Sequence, residues 1–336
     1  MNIGIIGAGF IVKNFLSFAN EIKGLHLEGI CATLQEEKIM NELCEKHKIK
    51  TSYTNYDKML MNEAIDVIYI GVPNHLHFAF ARKALDANKH VICEKPFTSN
   101  YKEANTLIKM AKEKNLIILD AITTRYLPNT KHIKNEIEKL GELKIVSMNY
   151  SQYSSRYNAF KQGEILPAFN PEMSGGALMD LNIYNINFAL LMFGEPKHSH
   201  YEANIQRGID TSGILTLDYG SFKCVCIAAK DCKAPLTTTI QGDAGCIVIE
   251  SPVNAIDGYQ ILMNSDSSRQ MKHSDEPFYN YNQDKHKMMH EFEAFVEVVQ
   301  TKDFDHVDKM NALTLSTMKI LDNARKSANI VFPSDC

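Results

Sequence analysis

The sequence predicts an α/β protein in which a doubly wound parallel sheet is followed by an α+β domain with an open, mostly antiparallel sheet. Two observations predict this fold class. Up to about residue 121, short runs rich in Ile and Val alternate with amphipathic stretches of helical length. Beyond residue 122, strand-like runs follow one another with glycines between them. Strands joined through helices form parallel sheets, whereas strands close in sequence pair mostly antiparallel.

The first domain is predicted over residues 1–122. Its apolar runs are short enough for buried strands, and the segments between them, such as 101–114, carry apolar residues at helical spacing. The runs cover residues 3–6, 25–31, 67–70, 90–93 and 116–119.

The second domain is predicted over residues 123–336. A helix opens at Pro128 and ends near Gly141, a strand covers 144–153, and an apolar helix follows Gly176. Five strands are expected at 198–206, 212–219, 222–229, 236–241 and 246–250, with turns at Gly208, Gly220 and Gly242, and two amphipathic helices at about 284–300 and 309–327 close the chain. Helices must cover one face of the open sheet, and a second subunit could cover the other. We therefore expect a homodimer or homotetramer formed through this sheet.

Composition and charge exclude several classes of protein. An apolar fraction of 45% excludes disorder, and a net charge of −4 gives no general attraction for nucleic acid or anionic lipid. The sequence has no run of about 18 apolar residues, so we expect no membrane span. The N-terminal residues do not resemble a secretion signal. The eight cysteines lack the framing of a disulfide scaffold, so we expect reduced thiols, no metal site and a cytoplasmic protein.

A glycine-rich loop lies where the first strand is expected to turn into the first helix. Gly7 would allow the tight turn, and Gly9 would let backbone amides approach a pyrophosphate, whose charge the helix dipole stabilises. Phe10 and Ile11 follow, and Val12 stands where the G-x-G-x-x-G fingerprint has its third small residue. The fingerprint is incomplete, but its position at the start of a β/α domain favours dinucleotide binding.

The end of the second strand favours NADP slightly over NAD. An acidic residue there would bond the adenosine ribose and repel a 2′-phosphate. Residues 30–35, at the end of this strand, include no acid before Glu36, while Thr33 can bond a phosphate or hydroxyl and Lys38 could reach an anion.

Four motifs in order together resemble the Gfo/Idh/MocA oxidoreductase family over essentially the whole chain. They are 73–77 (PNHLH), 93–96 (CEKP), 174–180 (SGGALMD) and the final 330–335 (IVFPSD). The resemblance implies a Rossmann domain, a substrate domain used for oligomer contacts, and hydride transfer between a nicotinamide and a sugar, cyclitol or related alcohol.

The resemblance also implies roles for individual residues. Lys95 would touch the nicotinamide ribose and the substrate, and the family's Asp-x-x-x-His pair falls on Asp180 and Tyr184, so tyrosine replaces the commoner histidine. Arg125 matches an Arg-aromatic-x-Pro segment that enters the second domain. Together with the glycine loop, these motifs give the expected cofactor contacts, which are Gly7, Gly9, Phe10, Ile11, Thr33, Pro73, Asn74, His77, Glu94, Lys95 and Arg125.

The chemistry of alcohol oxidation agrees with these roles. The hydroxyl proton must leave as hydride departs, and a tyrosine needs a nearby ammonium to stabilise its phenolate. We expect Tyr184 to be the acid/base, Lys95 its electrostatic partner, and Asp180 the acceptor that orients a substrate hydroxyl. The alternatives are a surface ion pair between Glu94 and Lys95, a core role for Tyr184, and a helix-dipole role for Asp180.

Two further questions stay open from sequence. Arg156 and Tyr157 precede a proline-bearing loop that would close over the substrate in the family, so they are candidate substrate contacts or else an ordinary strand edge. A non-catalytic NAD(P)-binding sensor with the same fold is the alternative to an enzyme.

Overall fold

The computed structural model describes residues 1–264 and 276–336 and divides the chain into two compact units. Unit 1 comprises Met1–Ala121 and Met288–Met318, and unit 2 comprises Ile122–Lys287 and Lys319–Cys336. The sequence predicted a break after residue 122 with everything beyond it in one domain. The structure instead places Met288–Met318 with the first unit.

Unit 1 is built on a six-stranded parallel sheet. Its strands are β1 (Asn2–Ile6), β2 (His26–Cys31), β3 (Thr51–Tyr53), β4 (Val67–Ile70), β5 (His90–Glu94) and β6 (Ile118–Ala121), in the order β3-β2-β1-β4-β5-β6. The helices are α1 (Phe10–Leu16), α2 (Glu37–His47), α3 (Tyr56–Leu60), α4 (His77–Asp86) and α5 (Tyr101–Glu113). The strand order changes direction between β1 and β4, and ligands of doubly wound sheets bind at the carboxyl ends of such a pair.

The helix α9 (Lys287–Thr301) packs on unit 1 through aromatic side chains. Phe292 stacks on Phe15 of α1 with ring centroids 4.2 Å apart and meets the edge of Tyr69 in β4 at 5.2 Å. All three side chains are fully buried. Burying them together explains why this distant segment belongs to the first unit.

Unit 2 contains a seven-stranded mixed sheet. Its strands are β7 (Leu143–Ser151), β8 (His198–Gln206), β9 (Ile209–Asp218), β10 (Lys223–Ala229), β11 (Thr238–Gly242), β12 (Gly245–Ile249) and β13 (Gln260–Met263), in the order β13-β12-β11-β7-β10-β9-β8. Among the strand pairs described for this sheet, β7 and β10 are parallel and all the others are antiparallel. The predicted fold class, a parallel α/β sheet followed by a mostly antiparallel sheet, is confirmed.

The helices of unit 2 are α6 (Pro128–Glu136), α7 (Tyr157–Lys161) and α8 (Ile183–Phe193), and the last helix of the chain is α10 (Phe304–Ser327). A π-helical turn, Leu178–Asn182, precedes α8. On one face of the sheet, which α8 covers, Cys224 and Cys226 are fully buried, whereas Ile145 and Ile214 are 48% and 45% exposed on the other face.

Several boundaries differ from the sequence predictions. The short strands β3 and β13 were not predicted, and Gly242 is the last residue of β11 rather than a turn. The strand β5 ends at Glu94, one residue beyond the predicted run 90–93, and α10 begins at Phe304, five residues before the predicted start. Among the described residues, no helix has both the length and the apolar character that crossing a membrane requires.

Candidate active-site residues

The loop after β1 is shaped by two glycines at the carboxyl ends of β1 and β4. Gly7 has φ +110°, and a Cβ there would run into the carbonyl oxygen of Gly71. Gly7 N donates to Cys31 O at 2.8 Å, and Gly71 N donates to Ile6 O at 2.9 Å. A side chain at Gly7 would therefore separate the two strand ends that frame the predicted dinucleotide site.

Gly9 and the residues after it face open space. Gly9 precedes the first turn of α1, and a Cβ there would meet no atom within 4 Å. Phe10 is 73% exposed and Ile11 is partly exposed. Backbone amides at a helix start with free space in front of them fit a diphosphate group.

Val12, which made the glycine fingerprint incomplete, is accommodated by Gly71. The Val12 side chain is fully buried, and a Cβ at Gly71 would lie 2.7 Å from Val12 Cγ2. A glycine at the end of β4 thus supplies the room that a small third residue would give. The incomplete fingerprint does not distort the loop.

Thr33, the predicted ribose contact, is exposed at the end of β2 and paired with Glu36. The Glu36 carboxylate accepts hydrogen bonds from Thr33 Oγ1 at 2.8 Å and from Thr33 N at 3.3 Å. Lys38 is also exposed. An acidic and a basic side chain therefore both lie near the position that distinguishes NAD from NADP.

Pro73 and Asn74 begin a short 3-10 turn after β4, and Pro73 is exposed. His77, at the start of α4, is fully buried, with Nδ1 2.8 Å from Pro96 O and Nε2 2.9 Å from Val72 O. Burial lowers the pKa of His77, and the two carbonyl contacts oppose that shift. His77 therefore ties the loop after β4 to the loop after β5.

Glu94 is buried at the end of β5, and Lys95, which follows it, is partly exposed. The Glu94 carboxylate accepts hydrogen bonds from Tyr69 Oη at 2.7 Å and from Lys95 N at 3.3 Å. Burial raises the pKa of Glu94 to about 7, against the opposing effects of Tyr69 and Lys95. The alternative of a surface ion pair is wrong because Glu94 does not reach the surface.

In unit 2, Asp180 and Tyr184 lie on consecutive helical turns. Asp180 belongs to the π-helical turn, and Tyr184 is the second residue of α8. Tyr184 is partly exposed and packs against the cluster of Tyr150, Leu181 and Ala228, with its ring centroid 6.0 Å from that of Tyr150. One phenol and one carboxylate are thus held on the same short segment.

Buried asparagines attach this segment to the sheet. Asn182 Nδ2 donates to Cys226 O, and Asn185 Nδ2 donates to Ile227 O, both at 3.1 Å. Arg125, buried in the turn after β6, donates through Nε and Nη2 to Asn187 Oδ1 at 2.9 and 2.7 Å. These bonds fix the position of the helix that carries Tyr184, and they give Arg125 a structural contact that the sequence did not indicate.

The start of the same segment is held by Asp210 of β9. Asp210 is buried, and its Oδ2 accepts hydrogen bonds from Leu178 N at 2.6 Å and Tyr201 Oη at 2.8 Å. Burial raises the pKa of Asp210 to about 6. Sequence reasoning missed Asp210, although an acidic residue two positions after Gly208 was a visible signal.

Asp180 is paired with Lys230, a second residue that the sequence analysis missed. Lys230 Nζ lies 2.6 Å from Asp180 Oδ2, and the side chains are 3% and 34% exposed respectively. A lysine directly after the apolar run 222–229 was the only signal in the sequence. The alternative, in which Asp180 only stabilises the helix dipole, does not account for its ion pair with Lys230.

Of the two candidate substrate contacts, Tyr157 is buried and Arg156 is exposed. Tyr157 Oη accepts a hydrogen bond from Gln206 Nε2 at 3.0 Å, and its ring lies 5.7 Å from that of Phe169. Lys230 Nζ lies 4.8 Å from the centroid of Phe169. Tyr157 is therefore connected to the Asp180–Lys230 pair through the ring of Phe169. Arg156 precedes the first residue of α7, and its side chain is exposed.

Comparisons with known proteins show the family of the chain. Residues 1–120 match a model described as an oxidoreductase family with an NAD-binding Rossmann fold, and residues 133–248 match the GFO/IDH/MocA C-terminal domain. The resemblance inferred from the motifs is confirmed.

Two curated relatives and one solved structure illustrate the match. The scyllo-inositol 2-dehydrogenase (NADP(+)) IolU of Bacillus subtilis is 32% identical over 338 residues, 100% of this chain and 99% of that protein. A trans-1,2-dihydrobenzene-1,2-diol dehydrogenase of Danio rerio is 26% identical and covers 73% of each chain. The 3-ketoreductase KijD10 of Actinomadura kijaniata, solved with NADP and TDP-benzene, has a TM-score of 0.82 at 18% identity and covers 98% of each chain.

Proposed function

Because the chain belongs to the GFO/IDH/MocA family of NAD(P)-dependent oxidoreductases, we propose that it oxidises a ring hydroxyl of a cyclitol or sugar with NADP⁺ and reduces the ketone in the reverse direction. The observation that carries this proposal is the full-length similarity to an NADP⁺-dependent scyllo-inositol dehydrogenase. The Asp180 carboxylate on the segment that bears Tyr184 supports it, because a carboxylate is a suitable acceptor for substrate hydroxyls.

Tyr184 is assigned the proton transfer. In oxidation its oxygen takes the hydroxyl proton as hydride leaves carbon, and in reduction it returns a proton to the nascent alkoxide. An unperturbed tyrosine ionises near pH ~10, so a nearby positive charge favours the reactive phenolate. The packing of its ring beside Tyr150 and Leu181 limits the positions that its hydroxyl can take.

Lys95 is assigned the electrostatic role. An ammonium group stabilises the negative charge that develops on the substrate oxygen. The buried Glu94 and the close contacts of the His77 ring with Val72 O and Pro96 O support the loops next to Lys95. A residue whose neighbours are fixed in this way is suited to hold a charge at one position.

The cofactor supplies a nicotinamide ring that accepts or returns the hydride. Gly7, Gly9 and the first amides of α1 are the groups we assign to its diphosphate, and Thr33 to the adenosine ribose. Phe10, Ile11, Pro73, Asn74, Glu94, Lys95 and Arg125 remain proposed contacts. His77 is better assigned as a support of the loops than as a direct contact, because its ring is fully buried and both nitrogens are engaged.

A second copy of the chain is the proposed partner of the half-exposed sheet face. Ile145 and Ile214 lie on this face, opposite α8. The homodimer or homotetramer expected from the sequence remains a proposal.

The proposal is tested with a panel of cofactors and substrates. Turnover is followed through nicotinamide absorbance with NADP⁺ and NAD⁺ against cyclitols, aldoses and trans-dihydrodiols, and with NADPH against the matching ketones. We expect turnover with scyllo-inositol or another cyclitol, and a higher kcat/KM with NADP⁺ than with NAD⁺. Turnover confined to dihydrodiols, or a clear preference for NAD⁺, would contradict the proposed substrate or cofactor.

A further inference from the structure

Lys230 is a buried ammonium group with a defined set of contacts in unit 2. Its Nζ donates to Asp180 Oδ2 at 2.6 Å and to Ala168 O at 2.8 Å, and it lies 4.8 Å from the centroid of the Phe169 ring. The side chain is 3% exposed. An ammonium group this deeply buried is costly unless it is paired and hydrogen-bonded, so these contacts are tightly specified.

The backbone around Lys230 is fixed as well. Lys230 N donates to Thr211 O at 2.8 Å, and Ala168 O also accepts a hydrogen bond from Gly176 N at 3.2 Å. Lys230 therefore links the end of β10, the loop at Ala168 and the glycine turn that opens the helical segment of Asp180.

Asp180 differs from Lys230 in its access to solvent. Its side chain is 34% exposed although one of its oxygens is held by the ammonium group. A carboxylate that is held at one oxygen and partly exposed to solvent is suited to accept a hydrogen bond from a ligand. Lys230 itself is too buried to touch a ligand in this arrangement.

We infer that Lys230 is a positioning residue of the reaction, which holds the Asp180 carboxylate as the acceptor for a substrate hydroxyl. The inference rests on the proposed function, since it assumes that Asp180 binds substrate. It assigns to Lys230 an effect on substrate recognition that acts entirely through Asp180.

A double-mutant cycle tests this inference. The variants are Lys230→Met, Asp180→Asn and the double variant, and the readouts are kcat and KM for scyllo-inositol, KM for NADP⁺ and the thermal midpoint. Methionine has a similar length and packs well on an aromatic ring, so the core at Phe169 is retained. Lys230→Gln, whose amide can still donate to Asp180, is the second neutral variant if Lys230→Met does not fold.

We expect Lys230→Met to lower kcat/KM for the cyclitol by about 10- to 100-fold, mainly through KM, with KM for NADP⁺ unchanged. In the Asp180→Asn background the same substitution should change kcat/KM by less than about 3-fold. Lys230→Gln should retain part of the activity. This pattern would support the inference, because a purely structural role would reduce both backgrounds alike.

The other outcomes separate the two proposals. If Asp180→Asn is impaired but Lys230→Met keeps full activity, or lowers it equally in both backgrounds, the positioning role is wrong while the proposed function stands. If Asp180→Asn retains the kcat/KM of the unmodified protein, the substrate role of Asp180 is wrong and the inference is overturned with it.

Discussion

Glu94 is the buried acid beside the proposed reactive lysine. Its carboxyl group is removed from water and bonded to Tyr69, and burial raises its pKa from an ordinary value of 4.5 to about 7. The folded protein therefore binds a proton at Glu94 more tightly than the unfolded chain does. Its contribution to stability is greatest below pH 4.5 and is lost as the pH rises through 7.

We predict that Glu94→Gln makes stability less dependent on pH. Between pH 4.5 and 7 the ionisation of Glu94 should lower the free energy of unfolding of the unmodified protein by about 3 kcal/mol. Glutamine has no charge to bury, so the variant should not show this loss. Calorimetry at pH 5 and at pH 8 gives the thermal midpoint of Glu94→Gln minus that of the unmodified protein. We expect this difference to be larger at pH 8 than at pH 5. Glu45→Gln, at an exposed position in α2, is the control. Parallel midpoint curves for Glu94→Gln and the unmodified protein would show that this ionisation does not affect folding.

At the residue scale, the sequence identified side chains with a motif and missed those without one. Lys95, Asp180 and Tyr184 were proposed as site residues because residue type and spacing match a known pattern. Lys230 and Asp210 carry no motif, since what matters is their burial beside a helix that is 30 to 50 positions away. Such pairings depend on the register of β9 and β10, which short-range patterns do not specify.

The segment that carries Asp180 and Tyr184 depends on a glycine at its start. Gly176 has φ +106°, and a Cβ there would run into Oδ1 of Asp210, whose other oxygen accepts the bond from Leu178 N. Close approach of the backbone to a buried carboxylate therefore requires glycine at this position. The same approach places Asp180 one turn further along the helix.

Comparing two glycines separates backbone strain from steric contact. Gly208 in the β8–β9 turn has φ +77°, but a Cβ at this position would meet no atom within 4 Å. We predict that Gly208→Ala costs about 1 kcal/mol and leaves kcat unchanged, whereas Gly176→Ala costs at least about 2 kcal/mol and lowers kcat. Urea unfolding and steady-state kinetics measure both effects. Equal costs for the two variants would contradict the proposed contact with Asp210.

At the element scale, strongly apolar strands and long helices were predictable, and short polar elements were not. The apolar run 67–70 was predicted with the observed bounds of β4, and all four of its residues are buried. The strand β3 has three residues with no buried side chain, so its pairing with β2 leaves no apolar signal in the sequence.

At the scale of the whole molecule, the contents of the two units were only partly predictable. The change in pattern near residue 122 indicated one boundary, and the structure divides the chain after Ala121. The return of Met288–Met318 to the first unit follows from the burial of Phe292 on Phe15 and Tyr69. The sequence pattern of an amphipathic helix indicates which of its faces is buried, but not which domain core that face packs against.

The proposed function assigns roles to residues of both units. The glycine loop and Lys95 belong to the first unit, and Asp180, Tyr184 and the residues that support them belong to the second. The central claim is that a tyrosine of the second unit transfers the proton in an NADP-dependent hydride transfer.

The most direct test is the single-turnover rate of hydride transfer in Tyr184→Phe, followed through nicotinamide absorbance with NADP⁺ and a cyclitol at saturating concentrations. We predict a rate about 100-fold or more below that of the unmodified protein, with the affinity for NADPH unchanged by fluorescence titration. A rate equal to that of the unmodified protein would contradict the assignment of Tyr184 as the acid/base.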